Sequence, residues 1–242
     1  MQFRVFGGSA EQSGNLMALT KRPENSVAAD IPVTVMSEDS TQADIRLRFF
    51  YPGSKEAPLC GHALLGAVQA LQINEGRVET GAGILQVRCD GEMAEVNLGS
   101  RVTVNEDLEG FSACWLGLMP GNIHLEGIHS AGKAKLCIWV DCLQALNAAE
   151  FNLPALAEWN QGRDFSGYVL YTEHEGQFYA RATNPLFNMP EDSACGVCCS
   201  ALPLSIGTEG CNIVMGFPNY QNRIYLNCCA GDIWVGGRVA PA

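Results

Sequence analysis

The sequence lacks long apolar runs and is poor in positive charge. No uninterrupted apolar stretch reaches about 18 residues, the length that marks a membrane span. The 15 Lys and Arg residues are outnumbered by 26 Asp and Glu residues, giving a formal net charge of −11. Nucleic acids and anionic membranes bind positive surfaces, so the charge predicts no nucleic-acid and no membrane partner. The expected partners are small molecules or further copies of the chain.

A basic N-terminal region followed by an apolar run, the pattern of a secretory signal, is also missing. The 11 cysteines are therefore expected to remain thiols in a reducing compartment, and the sequence predicts a cytoplasmic protein. Most of these cysteines are expected to pack as small buried hydrophobes. His124, His129 and His174 have no partner at metal-ligand spacing and are interpreted as surface residues.

Secondary-structure patterns alternate along the 242 residues. Strands are predicted at Ile45 to Tyr51 and as hairpins over Ile84 to Leu98 and Ile224 to Val235, which turn at glycine. Gly61 to Leu71 has apolar residues at helical spacing. Cys195 to Leu202 is predicted as a short buried helix, and Pro203 is expected to end or kink it. Mixed helices and strands in this order indicate an α+β fold.

The two halves of the chain resemble each other. CGHALLGAVQAL matches CGVCCSALPL, and ILQVRCDGEMAEVNLGSRV matches IYLNCCAGDIWVGGRV with the turn glycine in register. A repeat of this length indicates one supersecondary unit used twice. We predict an N-terminal half at residues 1–108, a C-terminal half at 109–242, and a ligand cleft between them, because domain interfaces favour such sites.

Each half has a Cys-Gly dipeptide at the predicted start of its buried helix, Cys60-Gly61 and Cys195-Gly196. Unpaired N–H groups and the helix dipole at such a position lower a thiol's pKa and favour the thiolate. Two such thiols facing one substrate carbon suit proton removal from one side and proton return on the other. The two glycines are expected to leave N–H groups free for a carboxylate or enolate. The alternative interpretation is that both cysteines are core residues.

Two segments resemble signatures of the phenazine-biosynthesis-like (PhzF-like) isomerase family. RFFYPGSKEAPLCGHALLGAVQAL is similar to its RFFTP and PLCGHATLAAA elements, and RATNPLFNMPEDSACGVCCSAL is similar to its R-x-F-x-P and EDPxTGSA elements. Gly14-Asn15 resembles the family's G-N-P element, with Leu16 in place of proline. The resemblance implies a diaminopimelate-epimerase-like fold of two halves, each a central helix wrapped by a curved, mostly antiparallel sheet. It also implies an isomerase without cofactor or metal, as a homodimer or a two-lobed monomer.

The chain departs from this family where the chemistry is expected. The family's catalytic glutamate has no counterpart, since Glu24 stands in a different context, and Cys195 replaces the usual threonine. The cysteine-based racemases, which share the fold, have a cysteine at each position, as in M-C-G-H-G and P-C-G-T-G. The sequence therefore predicts an amino-acid racemase or epimerase with Cys60 and Cys195 as acid and base.

The resemblance also implies substrate-binding roles for Asn15, Gly61, His62, Asp192 and Gly196. Asn15 could instead be a turn residue, His62 a core or capping histidine, and Asp192 a helix cap. Three other functions remain open. One is a phenazine-type isomerase of an unsaturated small acid using His62 and Asp192. Another is a thiol-redox or zinc protein using the C-x-x-C pair Cys195 and Cys198. The last is a family member that binds a small acid without converting it.

Overall fold

The computed structural model describes residues 1–7, 13–21, 31–187 and 189–242. By their internal contacts these residues form two compact units. The first comprises Met1–Asn97 together with Val235–Ala242, and the second comprises Leu98–Trp234. The halves predicted at 1–108 and 109–242 remain a prediction about domains. Glu24 lies outside the described residues.

In its described residues, the first unit consists of strands and one α-helix. Its elements are β1 (Gln2–Val5), β2 (Asn15–Thr20), β3 (Thr34–Glu38), β4 (Ile45–Tyr51), β5 (Lys55–Ala57), α1 (Gly61–Ala70), β6 (Glu75–Thr80), β7 (Gly83–Asp90), the start of β8 (Met93–Ser100) and most of β17 (Asp232–Pro241). β1 pairs antiparallel with both β2 and β17, while β2 pairs parallel with β3. β4 pairs antiparallel with β3 and β5 and parallel with β6. β6, β7 and β8 follow as antiparallel neighbours.

Helix α1 forms the centre of this unit. The segment GHALLGAVQA contains good helix formers and no proline, and the helix packs against β1, β2, β3 and β7. Six consecutive residues are buried, so apolar side chains cover the helix on every side, as is typical of a core helix. They are Ala63, Leu64, Leu65, Gly66, Ala67 and Val68.

The second unit is larger and has more short helices. Its strands are β9 (Val102–Val104), β10 (Ile123–Ser130), β11 (Lys135–Val140), β12 (Tyr168–His174), β13 (Gln177–Asn184), β14 (Met189–Asp192), β15 (Gly210–Met215) and β16 (Asn222–Cys229). Its α-helices are α2 (Leu143–Ala148), α3 (Leu153–Asn160), α4 (Gly196–Cys199) and α5 (Leu202–Ile206). Hairpins join β10 to β11, β12 to β13 and β15 to β16, and parallel pairing joins β11 to β12 and β13 to β15.

The buried helix predicted at Cys195 to Leu202 is divided in two. α4 ends at Cys199, and α5 begins at Leu202 with Pro203 in its first turn. Proline has no N–H to continue a helix but fits the first turn of a new one, which explains the break at this point. α4 packs against β12, β16 and α5.

The prediction that three histidines lie on the surface is confirmed at two of the three positions. His124 and His174 are exposed, but His129 is buried in β10, where its Nδ1 lies 3.2 Å from the Thr103 hydroxyl. The surface interpretation of His129 was wrong because β10 pairs at this point with both β9 and β11, and His129 and its neighbour Ile128 are both buried there. Burial lowers the pKa of His129. None of the helices in the described part of the chain has the length and apolar composition needed to cross a bilayer.

Candidate active site

Cys60 stands immediately before α1, as its N-cap residue. Its backbone is extended, its carbonyl accepts the first helical hydrogen bond from Leu64 at 2.9 Å, and its side chain is only 7% exposed. The chain reaches this position from β5 through Pro58, which contacts Gly81 in the turn between β6 and β7. The predicted placement of Cys60 at a helix start is therefore confirmed.

Donor groups surround the Cys60 sulfur. The Nδ1 atom of His62 lies 3.5 Å from Sγ, and the Tyr51 hydroxyl also hydrogen bonds to the thiol. The Ala63 N–H is directed towards the sulfur without forming a full capping hydrogen bond. Burial alone would raise the pKa of Cys60, but the field and hydrogen bond of His62, with smaller contributions from Ala63 and Tyr51, lower it overall. Cys60 is thus a buried thiol whose charged form is supported.

The other predicted residues of the first unit fall on two elements. Gly61 and His62 are the first residues of α1, so they share the immediate surroundings of Cys60. Asn15 is the first residue of β2 and pairs with Val5 of β1. Gly14 before it has a φ of +93°, and a Cβ there would lie 2.7 Å from the Val5 carbonyl oxygen, so only glycine fits this turn. β2 also packs against α1.

Cys195 occupies the corresponding position in the second unit, as the N-cap residue of α4. Its thiol donates a hydrogen bond to the Cys198 sulfur at 2.8 Å, and its backbone N–H donates to the Met215 Sδ at 3.3 Å. The Cys199 thiol donates to the same Met215 sulfur at 3.4 Å. Three cysteines and one methionine therefore contact one another at the start of this helix.

The acidity of Cys195 differs from the expectation. The hydrogen bond to Cys198 and burial, together with the fields of Cys198, Asp192 and Cys199, raise the pKa of Cys195 well above its usual value. The prediction of a lowered pKa at both cysteines is wrong for Cys195, because the hydrogen bond to Cys198, burial and the neighbouring acidic groups all oppose its charged form. Cys195 is a thiol that holds its proton.

Asp192 and Gly196 flank this thiol. Gly196 begins α4, and Asp192 ends β14, where its Oδ1 accepts the Ala194 N–H at 3.0 Å. Asp192 therefore forms a local turn before the helix and does not occupy the cap position, which Cys195 holds.

Arg181 anchors the strand that leads to this turn. Its Nε and Nη2 atoms each donate to the Glu191 carboxylate at 2.7 Å. Its Nη1 atom donates to the carbonyls of Leu146 and Ala149, at the end of α2. The guanidinium thus ties β13, β14 and α2 together and fixes the path of the chain towards Cys195.

Metal binding has no support among residues 1–7, 13–21, 31–187 and 189–242, where no group of three or more His, Cys, Asp or Glu side chains is arranged to hold a metal ion. In particular, the zinc interpretation of Cys195 and Cys198 has no further ligand within these ranges.

Tyr51 and Met215 were not predicted from the sequence. Tyr51 is the last residue of β4, and Met215 is the last residue of β15, so both lie at strand ends, 9 and 20 residues along the chain from the cysteines they contact. Tyr51 does stand where the resembled family has the threonine of RFFTP, and that substitution was the one available signal. Nothing in the local sequence indicates Met215.

Comparison with known protein families shows to which family the chain belongs. The model of the phenazine biosynthesis-like protein family matches residues 27–207, most of the chain. The chain belongs to this family. A search of curated protein sequences finds no match.

Solved structures show the same fold at low identity. The phenazine biosynthesis protein of Bacillus anthracis is 17% identical, covering 100% of this chain and 95% of its own, with a TM-score of 0.81. A probable proline racemase from Agrobacterium radiobacter with bound carbonate is 13% identical, covering 100% and 90%, with a TM-score of 0.65. A hydroxyproline epimerase from Agrobacterium vitis with bound trans-4-hydroxy-L-proline is 14% identical, covering 87% and 72%, with a TM-score of 0.59. The sheet-rich α+β fold of this family and of the proline racemases is therefore that of this chain.

Proposed function

We propose that this protein is a cofactor-independent isomerase that racemises or epimerises a small amino or carboxylic acid, with Cys60 and Cys195 as its acid and base. One observation carries the proposal. The two matched Cys-Gly positions have opposite surroundings: donors support the charged form of Cys60, whereas the Cys195 thiol keeps its proton and donates a hydrogen bond to Cys198. Two titratable groups whose environments separate their pKa values are the usual basis of acid and base assignments.

In the proposed mechanism the Cys60 thiolate removes the proton from the carbon beside the substrate carboxylate. The electron pair of that C–H bond moves into the carboxylate, giving an enediolate. The Cys195 thiol then delivers its proton to the opposite face of the same carbon, which inverts it. After this turnover Cys60 is the thiol and Cys195 is the thiolate. For the opposite stereoisomer the two cysteines exchange roles, and the first protonation state is restored.

The remaining predicted residues have roles in holding the substrate. The N–H groups of Gly61 and Gly196 follow the two cysteines and would donate to the carboxylate, whose charge grows in the enediolate. His62 supports the Cys60 thiolate and would also stabilise the enediolate. Asp192 and Asn15 would contact the substrate's polar substituents. These five assignments rest on the family resemblance and on the adjacency of Gly61, His62 and Gly196 to the thiols.

The test measures exchange of the substrate Cα proton with deuterated solvent by NMR. Because the structures of similar fold include a probable proline racemase and a hydroxyproline epimerase, the first substrates tested are L-proline, D-proline and trans-4-hydroxy-L-proline. A panel of free amino acids follows. Replacement of either cysteine, Cys60→Ser or Cys195→Ser, should reduce inversion by at least about 100-fold, the lower range for loss of a general acid or base. Cys142→Ser, at an exposed thiol, is the matched control. Wild-type exchange in either active-site variant would contradict the mechanism.

A second isomerase function is favoured by the family match. A phenazine-type isomerase would move a proton within an unsaturated acid through His62 and Asp192. Its activity would be lost in Asp192→Asn but would survive Cys195→Ser, a variant that the two-thiol mechanism requires to be inactive. The same variants assayed on an unsaturated small acid therefore separate the two functions.

A further inference from the structure

We propose that Cys195 and Cys198 are a redox modification site, at which a hydroperoxide oxidises the two thiols to a reversible disulfide. The disulfide itself depends on nothing but the geometry of α4. Its consequence, loss of the acid that the isomerase needs, rests on the proposed function.

The two sulfurs are already nearly in bonding position. Residues three apart are neighbours on a helix surface, which brings the side chains of the N-cap Cys195 and of Cys198 to one face. Their sulfurs are 2.8 Å apart, compared with about 2.05 Å in a disulfide. Closing the bond therefore requires the two sulfurs to approach by less than about 1 Å.

The other sulfurs in this part of the unit are engaged elsewhere. The Cys199 thiol donates to Met215 at 3.4 Å, and the Cys137 thiol is directed to the Lys135 carbonyl at 3.9 Å. Methionine cannot form a disulfide. The contact between Cys195 and Cys198 is thus the one that favours a disulfide among the sulfur contacts described here.

Access determines the order of the chemistry. Cys195 is partly exposed, whereas Cys198 is buried with 4% exposure. The Cys195 thiol gives up its proton as its sulfur attacks the hydroperoxide, so that an S–O bond forms, the O–O bond breaks and the leaving oxygen takes that proton to become water or an alcohol. Cys195 is now a sulfenic acid. The Cys198 sulfur attacks it, forming the S–S bond, breaking the S–O bond and releasing water. Two thiols have lost two electrons to the peroxide, and every proton is accounted for.

The disulfide removes the Cys195 proton on which the proposed isomerisation depends. A dithiol reverses the reaction by thiol–disulfide exchange and restores both thiols. Formation of the disulfide also protects Cys195 from the irreversible sulfinic and sulfonic acids, because Cys198 consumes the sulfenic acid first.

The experiment treats the full-length protein with hydrogen peroxide and locates the disulfide by differential alkylation. Free thiols are blocked with a light reagent, the protein is reduced with dithiothreitol, and the released thiols take a heavy reagent. Trypsin leaves Cys195, Cys198, Cys199 and Cys211 together in the peptide of residues 182–223, so fragmentation spectra must assign each label. We expect the heavy label at Cys195 and Cys198 and the light label at Cys199 and Cys211.

Cys198→Ala is the matched variant. Without the second sulfur, Cys195 should carry no heavy label from a disulfide and should advance to sulfinic acid, seen as a mass gain that dithiothreitol does not remove. Light label on both Cys195 and Cys198 in peroxide-treated wild type would overturn the proposal. So would heavy label that pairs Cys195 with a different cysteine.

Activity on a converted probe separates this proposal from the proposed function. Peroxide should reduce wild-type turnover by at least tenfold, and dithiothreitol should restore it, while in Cys198→Ala the loss should be permanent. A disulfide at Cys195 and Cys198 that leaves turnover intact would retain the modification site and refute the acid role of Cys195. Reversible loss of turnover without this disulfide would refute the modification site.

Discussion

At the scale of single residues, the protonation of each cysteine follows from the polarity of its immediate partners. Cys60 has His62 and the Tyr51 hydroxyl beside it, and both stabilise a negative sulfur. Cys195 has another thiol and a carboxylate nearby, and both oppose a negative sulfur. The same Cys-Gly sequence at a helix start therefore has surroundings that favour the charged sulfur in one unit and oppose it in the other.

Tyr51 provides a direct test of this explanation. Tyr51→Phe removes one hydrogen bond to the Cys60 thiolate, so the pKa of Cys60 should rise and less thiolate should be present at neutral pH. Alkylation of Cys60 by iodoacetamide near pH 7, followed by mass spectrometry, should slow several-fold, and its pH profile should move to higher pH. Tyr220→Phe, at an exposed tyrosine, is the control and should leave the profile in place. An unchanged profile in Tyr51→Phe would mean that the Tyr51 hydroxyl does not stabilise the Cys60 thiolate.

The sequence could predict which cysteines begin helices, because the repeated Cys-Gly and the following apolar pattern are local signals. It could not predict their acidity. The groups with the largest influence, His62 for Cys60 and Cys198 for Cys195, are near in sequence, but their distances to the two sulfurs and the burial of both thiols are fixed only by folding. His129 was misassigned for a similar reason, since its burial depends on the sheet around β10.

At the scale of elements, the turn between β6 and β7 supports the loop that carries Cys60. The Thr80 hydroxyl donates to the Gly83 carbonyl at 2.8 Å and accepts the Ala82 N–H, which fixes a tight turn. Gly81 in this turn lies against Pro58. A Cβ at Gly81 would be 2.8 Å from the Pro58 Cα and 3.2 Å from its carbonyl oxygen.

Gly81→Ala should therefore force this turn away from Pro58. We expect the free energy of unfolding in urea to fall by about 1–3 kcal/mol, the range for inserting a methyl group into occupied space. Gly121→Ala is the matched control, because a Cβ at Gly121 meets no atom within 4 Å. Equal free energies of unfolding for the two variants would show that the loop at Pro58 moves aside without loss of stability.

Elements with strong local signals were predicted well. The hairpins of β7 with β8 and of β16 with β17 turn at the glycines that indicated them, and α1 begins one residue after Cys60. The boundary between α4 and α5 was harder to predict, since Pro203 is compatible both with the end of one helix and with the first turn of the next. The prediction that most of the 11 cysteines are buried is wrong, because thiols carry no periodic signal of their own: four are buried, four are half-buried, and Cys114, Cys142 and Cys229 are exposed.

At the scale of the whole molecule, buried thiols couple stability to alkaline pH. Burial raises the pKa of Cys137 to about 12 and that of Cys211 to about 12. In the unfolded chain a cysteine loses its proton near pH 8.5. Between these values the unfolded chain has lost protons that the folded protein retains, so the free energy of unfolding falls as pH rises.

We expect this loss to begin above about pH 8.5 and to reach at most about 1.4 kcal/mol per pH unit for each buried thiol. Urea unfolding in the presence of a non-thiol reductant would measure the slope between pH 8 and 10. Cys137→Ala should lower the stability at every pH but flatten the slope, whereas Cys142→Ala, at an exposed thiol, should leave the slope unchanged. A Cys137→Ala slope equal to that of the wild type would contradict the coupling.

β17 belongs to both compact units, since Asp232 to Trp234 lie in the second and the residues from Val235 onward lie in the first. There its end pairs with β1, Phe3 opposite Pro241. During translation residues 1–97 therefore emerge early. The strand that completes their unit, β17, becomes available only after residues 98–234 have been made. The order of translation is thus the reverse of the order in which the two units can be completed, and a nascent first unit spends most of synthesis with β1 open along one edge.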